Sequence, residues 1–229
     1  MKSIIKFLQS SIGKKVLMSL TGLFLITFLI EHLVGNRLLL RNDNGAFYDA
    51  YGQFMAANPV VRTIEILLFA SLFWHAISGV VVWLENRRAR PQNYELYRLK
   101  DNTPLASRIT MLTGSIVFLF LVVHLRTFFF PTRFGTGHPS TALLVQQVFS
   151  SLWYSSFYVV ALVLLAYHLR HGFQSAFQTI GIKGKKYEGL LNIVAFLVWF
   201  VLPLGFAILP VYFYFFRHIV ETTVTMGVH

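Results

Sequence analysis

Cysteine is absent from all 229 residues, and Asp and Glu together number only nine. Without thiols the chain can form no disulfide, hold no iron–sulfur cluster through thiolates, and attach no haem covalently through a Cys-x-x-Cys-His motif. Any cluster chemistry connected with it must therefore sit on another polypeptide. Charge of either sign is scarce, at 13% of residues against 55% hydrophobic ones, and there are 23 Phe. That balance points to lipid rather than water as the solvent. The 20 Lys and Arg could suggest nucleic acid. They cluster between apolar runs, however, where orientation signals belong, and this distribution excludes that class.

What is present is a series of long apolar stretches. They predict an all-α polytopic membrane protein, a single membrane domain over 1–229 with five transmembrane helices at approximately 14–40, 59–86, 105–130, 142–179 and 189–216. The first stretch passes 20 residues and lacks a small-residue cleavage signal, so it reads as a retained helix. Ahead of it, Lys2 and Lys6 among Ile4, Ile5, Phe7 and Leu8 suggest an interfacial amphipathic piece. Asn42-Asp43-Asn44-Gly45 signals a turn before a short surface helix over Phe47 to Met55. Pro59 suits the first turn of the second span, and Pro131 is expected to stop the third. Pro203 and Pro210 should kink the fifth, which a packed bundle tolerates. Fourteen Lys and Arg fall on one side of these spans and six on the other. The richer side is expected to be cytoplasmic, placing the N-terminus inside and the C-terminus outside a cytoplasmic (inner) membrane.

Four of the five stretches contain one deep histidine each: His32, His75, His124 and His168. An unpaired polar group there costs several kcal/mol unless something binds it. At about 1.5 Å rise per residue, His32 and His124 lie roughly 7 to 10 Å below the outer edge, and His75 and His168 roughly 22 to 24 Å below it. The four therefore form two pairs at two depths, the first and third helices at one level and the second and fourth at the other. Four helices that face one another in this way form a bundle able to hold two bis-histidine cofactors stacked along the membrane normal. Haem b suits such a site, because imidazole ligates its iron from both faces and its noncovalent form needs no cysteine. Gly22, Gly79 and Gly114 would leave room for it. Zinc would want three or four ligands converging at one level. The arrangement of quinol–cytochrome c reductases, with two ligands on one helix, has a matching spacing in His124 and His138, but Pro131, Gly135 and Gly137 intervene.

Four stretches extend this reading: Ser11-Ile12-Gly13-Lys14-Lys15, His32-Leu33-Val34-Gly35-Asn36, Trp74-His75-Ala76-Ile77-Ser78-Gly79, and His168 through Gln178. In this order and spacing the chain resembles the dihaem cytochrome b558-type membrane anchors of succinate:quinone oxidoreductases, the succinate dehydrogenases and fumarate reductases. The resemblance implies His32 and His124 for a distal haem b and His75 and His168 for a proximal one. It also implies a flavoprotein subunit with FAD and an iron–sulfur subunit on the cytoplasmic face, with electrons passing between succinate or fumarate and a membrane quinone. Menaquinone is expected from the dihaem class. Succinate chemistry would not occur on this chain. Some fumarate reductases of the family carry a glutamate two residues before the fourth-helix ligand; here that position is Ala166, so the resemblance does not extend to the proton path that glutamate serves.

Around this core the candidates are placed by position. His171, one turn past His168, is the competing ligand, with a propionate contact as its other role. Arg126 and Arg170 each stand two residues beyond a ligand, placed either to pair a propionate or to snorkel to lipid headgroups. Glu31, Tyr48, Asp49, Gln53 and Glu65 are the quinone-site candidates, since they are the acids and hydrogen-bonding groups near the outer end. His138, His218 and His229 are expected to be solvated. The basic inner surface, Arg87 to Arg108 and Lys183 to Lys186, is a candidate docking face for the partner subunits. A higher oligomer of the complex is allowed. Two alternatives share parts of the pattern: a cytochrome b anchor of a hydrogenase or formate dehydrogenase, and a haem-free transporter with histidines as a proton relay.

Overall fold

A backbone immersed in lipid must satisfy its hydrogen bonds within each segment, and the chain does so with helices alone. The structure, a computed structural model, describes residue 6 and residues 10–88, 109–135, 140–182, 184 and 186–217, and contains no strand among them. Helix α1 spans Ser11–Asn36 and runs on through a 3-10 turn, Arg37–Leu40. Its start is fixed by Ser10, whose hydroxyl accepts from the Gly13 N–H at 3.0 Å. There follow α2 (Ala46–Ala57), α3 (Pro59–Arg88), α4 (Thr110–Phe134), α5 (Thr141–Phe149), α6 (Leu152–Ile180) and α7 (Glu188–Phe216). Five of these, α1 with its terminal turn, α3, α4, α6 and α7, are long and apolar enough to cross a membrane.

Two boundaries differ from expectation. Pro131 does not stop the third span, because α4 continues through it to Phe134. A proline ring clashes with the carbonyl four residues back, and here that carbonyl belongs to a π-helical turn, Leu125–Phe129, whose wider ring relieves the clash. The same device, Leu197–Val201, precedes Pro203 in α7. The predicted single helix over 142–179 is in fact two, broken at Ser150 and Ser151. The Ser155 hydroxyl donates to the Phe149 carbonyl at 2.8 Å and Ser150 to Gln147 at 2.8 Å, so serine side chains satisfy the α5 terminus that the break exposes.

Helix α6 is the hub, packing on α1, α4 and α7, while α3 lies mainly against α1. Leu162, Leu169 and Phe173 of α6 join Ile26 of α1 and Val198, Leu202 and Phe206 of α7 in the larger buried cluster. Because lipid is as apolar as leucine, such contacts hold by close fit rather than by escape from water. Gly205 shows how close: a Cβ there would lie 2.8 Å from Leu33 Cδ2. A second cluster packs α5 and Leu39 against Tyr158, Leu209 and Phe213. Gly45 links the surface pieces at the α2 end of the bundle; its φ of +84° is one that residues with a side chain rarely adopt, and a Cβ would sit 2.2 Å from Ala142 Cβ. At the opposite end Lys14 of α1 is paired with Glu85 of α3. The expected amphipathic piece before residue 10, apart from Lys6, lies outside the described residues. So do the connector carrying Arg90, Arg98, Lys100 and Arg108, together with Lys183, Lys185, His138, His218 and His229.

Candidate functional site: two histidine pairs inside the helix bundle

The four deep histidines meet two by two. His75 of α3 faces His168 of α6 with ring centroids 6.2 Å apart and planes 82° apart. His32 of α1 faces His124 of α4 at 5.9 Å and 89°. Two imidazole nitrogens each about 2 Å from a shared metal would place their ring centroids roughly 6 Å apart, so both separations suit a bis-histidine site. Among the described residues no three of His, Cys, Asp and Glu converge as zinc would require.

Glycine sets the inner pair. A Cβ on Gly22 of α1 would lie 3.1 Å from His75 Cε1, and one on Gly114 of α4 would lie 3.0 Å from His168 Cε1. Each ring thus rests on a neighbouring helix at a point where only hydrogen fits without a shift. Gly79, expected to act with them, has nothing within 4 Å. The His75 Nδ1–H donates to the Met18 carbonyl at 3.2 Å, which fixes the tautomer and leaves Nε2 as a lone pair. The Thr21 hydroxyl lies 3.5 Å from the same nitrogen. His168 Nδ1 is buried beside the Thr110 backbone but makes no hydrogen bond of standard geometry. A buried imidazole nitrogen left in that state is unfavourable without a further group.

Aromatic rings set the outer pair. Phe28 stacks on His32 at 5.3 Å and Phe206 tilts against it at 5.6 Å, while Phe120 and Phe128 flank His124 at 5.8 and 5.5 Å. Two hydrogen-bonding contacts enter this cage. The Tyr158 hydroxyl lies 3.3 Å from His124 Nδ1. The Asn36 side-chain amide donates to His32 Nε2 at 3.4 Å, and Asn36 Oδ1 accepts from the Tyr48 hydroxyl at 3.3 Å. A metal at His32 Nε2 therefore requires the Asn36 amide to turn aside.

The remaining candidates are spread out. Glu31 accepts from the Tyr51 hydroxyl at 2.6 Å on the α2 side of α1. Asp49 accepts from the Ala142 N–H at 3.0 Å and so holds the first turn of α5, a structural task. Glu65 is bound to Arg62 and lies 3.9 Å from Arg133, while Gln53 is exposed. Of the five quinone-site candidates, only Tyr48 and Glu31 connect to the surroundings of His32. Burial, with the Asp49 charge adding to it, pushes the Tyr48 phenol up to about 12. Burial and the hydrogen bond to Glu31 push Tyr51 upward as well. Both phenols are hydrogen-bond donors across the physiological range. His171 is half-buried with no hydrogen bond among the described residues. The Arg170 guanidinium lies over Trp199 at 5.2 Å, directed at α7 rather than at the histidines.

Asn36, Tyr51 and Tyr158 belong to the site although the sequence reading does not single them out. For Asn36 a signal exists, since it stands one turn after His32 in His32-Leu33-Val34-Gly35-Asn36. In the same motif Gly35 admits the Tyr51 ring, for a Cβ there would lie 3.0 Å from Tyr51 Cε1. Tyr158 lies on α6 at a distance of 34 residues from His124, and no local pattern announces that contact. No protein-family model, no curated protein and no solved structure matches the chain, so a functional reading rests on the histidine geometry and the sequence motifs.

Proposed function

We propose that this chain is the membrane anchor and dihaem cytochrome b subunit of a succinate:quinone oxidoreductase, passing electrons between an iron–sulfur subunit and a membrane quinone. The observation that carries the reading is the pairing of four intramembrane histidines at two levels, with ring centroids 6.2 and 5.9 Å apart. His75 and His168 would hold a proximal haem b, and His32 and His124 a distal one. Bound in this way, haem b supplies reversible one-electron storage at two depths of the bundle. The chain contributes the rest. Met18 sets the tautomer of His75, Gly22 and Gly114 let the inner rings approach, and the phenylalanine cage keeps water from the outer ones.

Orientation follows the charge bias, with the Lys14, Arg87 and Arg88 end facing the cytoplasm and receiving the flavoprotein and iron–sulfur subunits. Quinone, expected to be menaquinone, would then exchange near the α2 end, where Glu31, Tyr51, Tyr48 and Asn36 form the polar route toward His32. The test is made on the intact complex purified through this chain. A flavoprotein and an iron–sulfur protein should copurify, and succinate-driven quinone reduction should fall at least a hundredfold in His75→Ala or His168→Ala. Copurification with hydrogenase or formate dehydrogenase subunits would instead assign the same cytochrome to a different donor. A colourless protein that moves protons would sink the reading.

A further inference from the structure

A charge on a lipid-facing surface needs a counter-charge, and three of the arginines near the α2 end have one. Arg41 pairs with Asp43, Arg62 with Glu65, and Arg133 with Glu65 and the Phe134 ring. Arg126 has none among the described residues. It is exposed on α4, in the π-helical turn Leu125–Phe129, and eight residues before the end of the span at Phe134. Eight residues correspond to about 12 Å of helix. A 25-residue span centred on a core of about 30 Å puts the Arg126 backbone roughly 8 Å inside the hydrocarbon edge. An unpaired charge at that depth is unfavourable.

The side chain opens onto a groove of ≈ 680 Å³ lined by Arg126, Thr127, Phe130 and Pro131 of α4 and Tyr154 of α6. The lining is apolar at Phe130 and Pro131 and carries hydroxyls at Thr127 and Tyr154. Trp153, next to Tyr154 in the chain and 86% exposed, marks the start of α6 as an aromatic residue at a membrane boundary does. We infer that this groove is a binding site for one anionic phospholipid, its phosphate drawn down to Arg126 and a chain laid along Phe130 and Pro131. A guanidinium matches phosphate with two parallel hydrogen bonds, and the net negative headgroup supplies the charge that the protein does not. The groove would serve in this way whether or not the histidines hold haem.

The test uses the full-length protein, purified in mild detergent and exchanged into mixed micelles of phosphatidylglycerol and phosphatidylcholine, with retained lipid counted by native mass spectrometry. Wild type should retain one phosphatidylglycerol per chain in preference to phosphatidylcholine. Arg126→Gln should weaken that retention roughly tenfold, the scale of a lost charge-assisted pair, and Arg126→Lys, which keeps the charge without the fork, should fall between. Tyr154→Leu, on the other helix, gives a second reading if Arg126→Gln fails to fold, and should also lower retention. Arg37→Gln, an exposed arginine at the same end but outside the groove, should leave it unchanged. Equal retention of the two lipids by wild type would overturn the inference, as would undiminished retention in Arg126→Gln. An altered visible spectrum in Arg126→Gln with lipid retention intact would overturn it too, assigning the guanidinium to a cofactor carboxylate.

Discussion

His75 and His168 meet against bare backbone, whereas His32 and His124 meet inside a cage of side chains. At the inner level two glycines admit the rings, and one backbone carbonyl holds His75. At the outer level four phenylalanines surround the rings, and Asn36, Tyr48 and Tyr158 tether them. The inner pair is therefore set by helix–helix distance and needs no side chain to move. The outer pair is set by hydrogen bonds, one of which occupies a nitrogen that a metal would use. The inner level reads as a fixed site and the outer as an adjustable one, coupled through Asn36 and Tyr48 to the surface helix α2.

The most severe way to separate the two levels is to delete one histidine of a pair. His168→Ala should halve the reduced-minus-oxidised haem absorbance per chain, and His32→Ala should remove the other half; if either variant lost both, the levels would not be independent. Next in size is Gly114→Val, whose side chain must displace the His168 ring. It should abolish the inner haem alone, with the outer spectrum retained, while Gly114→Ala, which asks the ring to move only a few tenths of an ångström, should have a small effect. Tyr158→Phe removes a partner of His124 without touching the cage. It should weaken outer-haem retention roughly tenfold, as lost support of a ligating histidine does, and leave the inner level unchanged in a titration with added haem. Lys14→Ala should be the mildest. Its partner Glu85 is half-exposed, so the pair contributes less than about 1 kcal/mol, and thermal unfolding followed by circular dichroism should barely move.

The α2 phenol gives one further comparison. Tyr48 has its folded-state value raised to about 12 from an ordinary 10.0. Its contribution to stability is thus fully present below pH 10 and lost as pH rises from there to about 12. Thermal stability of Tyr48→Phe relative to wild type should show a pH-independent offset up to about pH 10 and a shrinking one above it. A difference that changed between about pH 6 and 9 would mean that another group titrates there.

Much of the architecture could be read from residue order because lipid imposes a coarse rule: long apolar runs become spans, and Lys and Arg mark their ends. Pro59 sits at the start of α3 and Lys14 near the start of α1, as that rule expects. The rule fails where the physics is local. Pro131 is a helix stop in isolation, and the π turn that carries α4 past it has no signature in Leu-Arg-Thr-Phe-Phe. The break at Ser150 and Ser151 lies within 28 uncharged residues, so hydropathy alone does not see it. Within the site, the pairing of His32 with His124 and of His75 with His168 was legible because a helix has a fixed rise. Their supports were not, since Gly22 and Gly114 touch rings on other helices while Gly79, the same residue type one turn from His75, touches nothing.

The central claim is that crossed imidazoles at two levels each hold one haem. It is tested most directly by quantifying haem b per chain in the purified full-length protein by the pyridine haemochrome method, together with low-temperature electron paramagnetic resonance of the oxidised form. Two haems per chain with two low-spin signals of bis-imidazole type are predicted. One haem, a high-spin iron at either level, or a colourless protein would contradict the account.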